Sequence, residues 1–115
     1  PRIHVFWADQ IQADVKGQYL KSLSELIQGQ DVYLTIDVDG LDPSVIPATG
    51  TPEPGGLLWW QACSVVRTTA ESSNVRGMDV NELAPRENLH AADFATAKLV
   101  YLSINQIAKA RGWLG

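Results

Sequence analysis

Apolar residues fall along this chain in two rhythms: short unbroken runs, and stripes spaced three or four residues apart. Ile3-His4-Val5-Phe6-Trp7, Val32-Tyr33-Leu34-Thr35-Ile36 and Val75-Arg76-Gly77-Met78-Asp79-Val80 are runs of strand length, rich in β-branched and aromatic residues. Between them, residues 15 to 28 place Val15, Tyr19, Leu23, Leu26 and Ile27 near helical spacing, and Gly29 follows as a C-terminal cap. Residues 57 to 71 predict a second helix on Trp59, Trp60, Cys63, Val65 and Val66, with Gly55-Gly56 just ahead of it. A third runs from about Ala92 to Arg111 on Phe94, Leu99, Leu102 and Ile107, and stops at Gly112. The order is β-α-β-α-β-α, and strands that alternate with helices imply a parallel sheet with right-handed crossovers. Because residues 32 to 36 carry no clear polar alternation, that strand is expected to be buried on both faces. The predicted class is therefore α/β, three layers α-β-α around a parallel sheet, with this chain forming a partial unit. Three strands are few for such a sheet, so a sheet edge and some helix surface are expected to need a partner.

The segment after the second run shifts attention from fold to chemistry. Residues 36 to 56 read IDVDGLDPSVIPATGTPEPGG, with Asp37 and Asp39 at the carboxyl end of the strand, where open α/β sheets keep their ligands. If the chain stays extended, residues two apart share a face, so both carboxylates converge while Val38 turns toward packing. Two hard oxygen ligands on one side can serve one cation or bridge a pair. Buried like charges at that spacing are costly without a cation or a donor network. The loop beyond carries Pro43, Pro47, Pro52 and Pro54 with Gly50, Gly55 and Gly56, a composition that sets a long loop in one shape. Asp42, in Asp42-Pro43, reads as an ordinary turn initiator. Glu82 lies just past the third run, so in a parallel sheet it emerges at the same rim as Asp37 and Asp39. His4 and His90 could each offer an imidazole, but neither has a second His at ligand-pair spacing.

Composition excludes several classes. The chain has 115 residues, one domain at most, and a net charge of −4 without a Lys/Arg cluster, which argues against a nucleic-acid surface and for small-molecule work. The single cysteine, Cys63, rules out an internal disulfide and reads as helix packing. No apolar run approaches the roughly 18 residues of a membrane span, and no signal-peptide pattern opens the chain, so the expected location is cytoplasmic. A start at Pro1, with Met78 the only methionine, gives the expectation of a piece of a longer chain, occupying 1–115 as the C-terminal part of one domain.

The paired acids, the Pro-Ala-Thr-Gly-Thr-Pro segment, Gly55-Gly56 and the later Gly-Met-Asp-Val-Asn-Glu-Leu-Ala-Pro together resemble the C-terminal portion of the ureohydrolases: arginase, agmatinase, guanidinobutyrase and formimidoylglutamase. The wording Thr-Pro-Glu-Pro-Gly-Gly is most similar to the agmatinase-type members. The resemblance implies hydrolysis of a small cationic guanidino substrate to urea and an amine, with two manganese ions activating water for attack on the guanidinium carbon. It implies that Asp37 bridges the two ions and hydrogen-bonds the attacking oxygen, that Asp39 binds one ion, that Glu82 faces the guanidinium, and that Thr51 lines the same pocket. It also implies homo-oligomeric assembly. The family's Gly-Gly-Asp-His and Asp-Ala-His segments, which supply the other ligands, are absent from these residues, so the chain alone is expected to be inactive. Two readings of other classes stand beside this one. A hydrophobic-Asp-Val-Asp-Gly string also resembles the nucleophile motif of haloacid-dehalogenase-type phosphatases, but Leu41-Asp42-Pro43 fits it poorly and Gly77-Met78-Asp79 is an imperfect later motif. The other is a non-catalytic fragment kept as an assembly module.

Overall fold

A computed structural model describes residues 2–114; Pro1 and Gly115, the ends of the expected 1–115 unit, lie outside the described residues. The elements run α1 (Ala8–Ala13), α2 (Gln18–Ile27), β1 (Asp31–Asp37), a 3-10 turn (Val38–Gly40), α3 (Trp59–Ser72), β2 (Asn74–Asn81) and α4 (His90–Ala110). The α/β alternation and the parallel sheet are as expected: β1 and β2 pair in parallel, with Thr35 opposite Asp79 and Asp37 opposite Asn81.

Each helix has a local reason for its limits. The stripe from Val15 becomes helical only at Gln18, because Gly17 takes a left-handed φ of 67° and the Asp14 carboxylate accepts the Tyr19 N–H at 2.8 Å. Gly29 closes α2 with φ 69°, as a C-terminal glycine does, and its N–H donates to Ser72 at the end of α3. At the start of α3, the Gln61 side-chain oxygen reaches back to the Leu58 N–H at 2.9 Å, half of a capping box. At the far end of α4, Arg111 donates to the Val75 carbonyl and ties that helix to the start of β2.

Two expectations need correction. Residues 3 to 7 do not join the sheet: β1 and β2 pair only with each other, and Ile3 and Trp7 stand 78% and 62% exposed. A five-residue apolar run has strand character only when a neighbouring strand takes its backbone hydrogen bonds, and none is adjacent among the described residues. The opening β of the β-α-β-α-β-α order is therefore absent. Nor is β1 buried on both faces. Val32, Leu34 and Ile36 are half-buried while Asp31, Tyr33, Thr35 and Asp37 are exposed, because helices cover one face alone among the described residues. The described residues thus supply two layers of the three-layer fold, as a partial unit does.

The core lies on the helix-covered face, toward the carboxyl ends of the strands. Leu34, Ile36 and Val80 pack against Val66 of α3 and Leu99 of α4. The proline-rich loop does not skirt this core but completes it. Val38, Leu41, Ile46, Ala48 and Thr49 are all buried, and each larger aliphatic side chain among them contributes about 1.5–3 kcal/mol. The loop folds back on itself through a short parallel bridge of Leu41 with Leu57, where Asp42 N–H donates to Leu57 O at 3.0 Å and Leu57 N–H to Gly40 O at 2.9 Å. Gly56 permits the approach: a Cβ there would stand 2.6 Å from the Leu41 carbonyl carbon and 2.7 Å from the Asp42 nitrogen. No described helix is long and apolar enough to cross a membrane.

The closeness at Gly56 gives a stability prediction. Gly56→Ala is expected to cost about 1–3 kcal/mol, the penalty of forcing atoms into a packed site, as read by urea unfolding. Gly50→Ala, where an added methyl meets nothing within 4 Å, serves as the near-neutral control.

Candidate metal centre and its rim

β1 delivers Asp37 to the end of the sheet, and there the backbone leaves the extended state. Asp37 still has φ −93° and ψ 119°, but Val38–Gly40 coil into a 3-10 turn closed by Leu41 N–H to Val38 O at 3.2 Å. The pleat therefore does not align the two carboxylates as the extended reading required. The division of labour survives: Val38 is fully buried, Asp37 is exposed and Asp39 half-buried at the rim. Asp39 has an orienting partner in Thr51, whose hydroxyl donates to Asp39 Oδ2 at 2.7 Å.

Asp42 does what a turn-initiating Asp does, and more. Its Oδ1 accepts the Ser44 N–H at 2.9 Å, while Oδ2 accepts the N–H of Gly55, thirteen residues on, also at 2.9 Å. Hydrogen bonding from Ser44, first its side chain and then its amide, and from Gly55 holds the Asp42 carboxyl below the usual range. One carboxylate thus staples both ends of the site loop.

Glu82 follows β2 directly, and the parallel register brings it to the same rim as Asp37. Its φ is 68°, a left-handed conformation that a non-glycine residue rarely takes and that tends to persist at functional positions. The loop fixes the chain on either side of this corner. Leu83 forms an antiparallel bridge with Thr49, Ala84 N–H donates to Ala48 O at 2.8 Å, and Arg86 donates to Thr49 O at 3.2 Å.

Asp79, which the sequence offered only as part of an imperfect phosphatase motif, is an anchor of the sheet. It sits on the open face of the sheet, accepting from Thr35 Oγ1 at 2.6 Å, Tyr33 hydroxyl at 2.9 Å and Asn81 Nδ2 at 2.6 Å. Donation from Thr35 and then Tyr33 holds its carboxyl low, and the same hydrogen bond raises the Tyr33 phenol. The available signal was alternation: Asp79 and Asn81 stand two apart on one strand, opposite Thr35 and Asp37 on the other. His4 and His90 belong to the unpaired opening segment and to the first residue of α4, so neither joins the rim. Cys63 is buried in α3 with its thiol pushed up by desolvation, as a packing residue should be.

By donor type, Asp37 and Asp39 suit a hard divalent cation. By number they fall short: among the described residues no three His, Cys, Asp or Glu side chains gather as a metal-binding group.

Comparison with known proteins gives this rim a context. The family model described as Arginase family matches residues 2–104. The N(1)-aminopropylagmatine ureohydrolase of a Synechocystis strain is 42% identical over 99 residues, covering 86% of this chain and 32% of that protein. A hypothetical agmatinase from Burkholderia thailandensis superposes with a TM-score of 0.77 at 32% identity, over 96% of this chain and 36% of that one. Formiminoglutamase of Trypanosoma cruzi with Mn2+ shares the fold, with a TM-score of 0.76 at 22% identity over 91% of this chain and 36% of that one. The chain spans about a third of the length of the proteins it matches.

Two predictions arise from this geometry. Because the folded Asp42 carboxyl is held low, its contribution is complete above the ordinary Asp value near ~4 and is lost as pH falls through the lowered folded value. Comparing acid unfolding of the parent chain and Asp42→Asn should show a stability difference above that range that shrinks below it. At the left-handed corner, Glu82→Val is expected to destabilise by about 1–2 kcal/mol, while Glu82→Gly leaves stability unchanged or slightly raised in chemical unfolding.

Proposed function

Because the chain belongs to the arginase family, we propose that it is the metal-and-substrate rim of a longer, agmatinase-like ureohydrolase that hydrolyses a guanidino compound to urea and an amine. The observation that carries this reading is the convergence at one sheet rim: Asp37 and Asp39 leave β1, Glu82 leaves β2 in parallel register, and segment 48–51 spans the two. Agmatine or an N-substituted agmatine is the favoured substrate, in keeping with the agmatine-type relatives.

Manganese is the proposed metal, as two ions in the complete enzyme, and Asp37 and Asp39 are the ligands this chain contributes. When bound, such a pair acidifies water enough for attack on a guanidinium carbon at neutral pH. The chain's own residues have three tasks. Asp37 at the end of β1 and Asp39 in the turn beyond it supply negative oxygen, and Asp37 would accept a hydrogen bond from the attacking oxygen beside the reacting carbon. Glu82, exposed and fixed by its left-handed backbone, offers a carboxylate to the planar, positively charged guanidinium, a geometry suited to paired N–H donation. Holding that group in register with the attacking oxygen lowers the entropic share of the barrier. Urea and the amine then depart.

With two carboxylates and no third ligand in reach among the described residues, the isolated chain is proposed to be inactive. The purified 115-residue chain, given Mn2+ and agmatine, should release no urea; measurable release above the metal-only blank sinks the incomplete-site reading. In a longer polypeptide carrying this segment, Asp37→Asn, Asp39→Asn and Glu82→Gln should each lower kcat/KM for agmatine by at least about 100-fold. Equal activity in all three overturns the site assignment. A non-catalytic assembly module is the second reading, favoured by exposed Trp60, Phe94 and Tyr101 along α3 and α4. Self-association of the chain by light scattering, with no Mn2+ uptake, supports that reading and the homo-oligomeric partner together.

A further inference from the structure

Asp39 occupies an unusual place for a residue asked to hold a defined geometry. Asp37 belongs to a paired strand, whose pleat fixes where its side chain leaves the sheet. Asp39 lies in the 3-10 turn beyond the sheet, half exposed, and its side-chain partner is the Thr51 hydroxyl at 2.7 Å. A carboxylate on such a turn samples several rotamers unless something outside the turn holds it, and each rotamer frozen on ligand binding costs affinity. Thr51 is twelve residues away and is itself held. Upstream of it, Thr49 is buried, bridged to Leu83 and hydrogen-bonded through its carbonyl to Arg86. Downstream, the Gly55 N–H is anchored to Asp42.

The hydroxyl also has a fixed polarity. A threonine hydroxyl carries one proton, and here that proton is committed to Asp39. Toward the rim Thr51 can therefore present only lone pairs, which suit a ligand rich in N–H donors and disfavour one rich in acceptors.

We propose that Thr51 is a positioning residue: it orients the Asp39 carboxylate through its hydroxyl, and segment 48–51, bridged to Leu83 and Ala84, ties that orientation to Glu82. This role goes beyond lining the pocket, and it rests on the reading of Asp39 as a metal ligand. The link sets the distance between the metal-binding and guanidinium-binding groups through one short piece of chain.

The test uses the 115-residue chain, with Thr51→Val removing the hydroxyl at nearly constant shape and Thr51→Ser retaining it. Without metal, the Asp39 Hα–Hβ couplings by NMR should report one rotamer in the parent and in Thr51→Ser, and an average in Thr51→Val. Unchanged Ala84 amide exchange in both variants shows that the Leu83 bridge is intact. On titration with Mn2+ alone, paramagnetic broadening at Asp39 should need about tenfold more metal in Thr51→Val and close to the parent concentration in Thr51→Ser. A single Asp39 rotamer in Thr51→Val, or averaging in Thr51→Ser as well, overturns the positioning role. If Mn2+ broadening is absent at Asp39 in a longer polypeptide that carries this segment and the remaining ligands, the metal reading fails, while the couplings still decide what orients the carboxylate.

Discussion

Parallel pairing of β1 with β2 is the constraint on which the rest of the structure depends. In a parallel pair both strands run to the same end, so the residues beyond each of them are delivered to one edge. Here that edge receives Asp37 and the turn bearing Asp39 from one strand, and Asn81 and Glu82 from the other. An antiparallel pairing of the same residues would send the acids to opposite ends. The register adds a second condition. Asp37 stands opposite Asn81, so Glu82 begins its left-handed corner one residue past the last paired position.

The loop between β1 and α3 turns this edge into a shaped rim. Its prolines restrict the chain, yet they do not by themselves explain its burial; the hydrophobic residues set among them do. Leu41, Ile46 and Ala48 enter the core beside Val66 and Leu99, so the site loop and the core are one packed body. Gly56 lets the loop's two ends meet, and Asp42 holds them with both oxygens. A loop this well held explains how a half-exposed Asp39 can keep a specific partner twelve residues away.

Much of this was legible in the sequence, and the exceptions share a cause. The stripes behind α2, α3 and α4 are local and periodic, so their helices fall close to the expected positions. Asp37, Asp39 and Glu82 stood out by their place at strand ends and Thr51 only through the ureohydrolase resemblance, and the structure brings Thr51 onto Asp39 and sets Glu82 at the Asp37 end of the sheet. Features that depended on a distant partner were not legible. Residues 3 to 7 have a strand's composition without a strand's neighbour. The six-residue α1 buries only Ile11 and is fastened from afar by Gln12, whose side chain donates to Gly56 O at 2.9 Å. The Asp79 network likewise arises from contacts with Tyr33 and Thr35 that no short window along the chain contains.

The hydrogen bond from Thr35 to Asp79 joins residues 44 apart in sequence, and the whole sheet has this long reach. Closing so large a loop before any ladder bond is made carries an entropic cost that local contacts must first offset. The site loop closes over a much shorter span, since Asp42 meets Gly55 across thirteen residues. During synthesis the Asp42 clasp on Gly55 can therefore form while β2 is still unmade, and the Thr49–Leu83 bridge that holds the Thr51 segment follows. Glu82 comes last, so the left-handed corner at the end of β2 is the final piece of the rim to find its place.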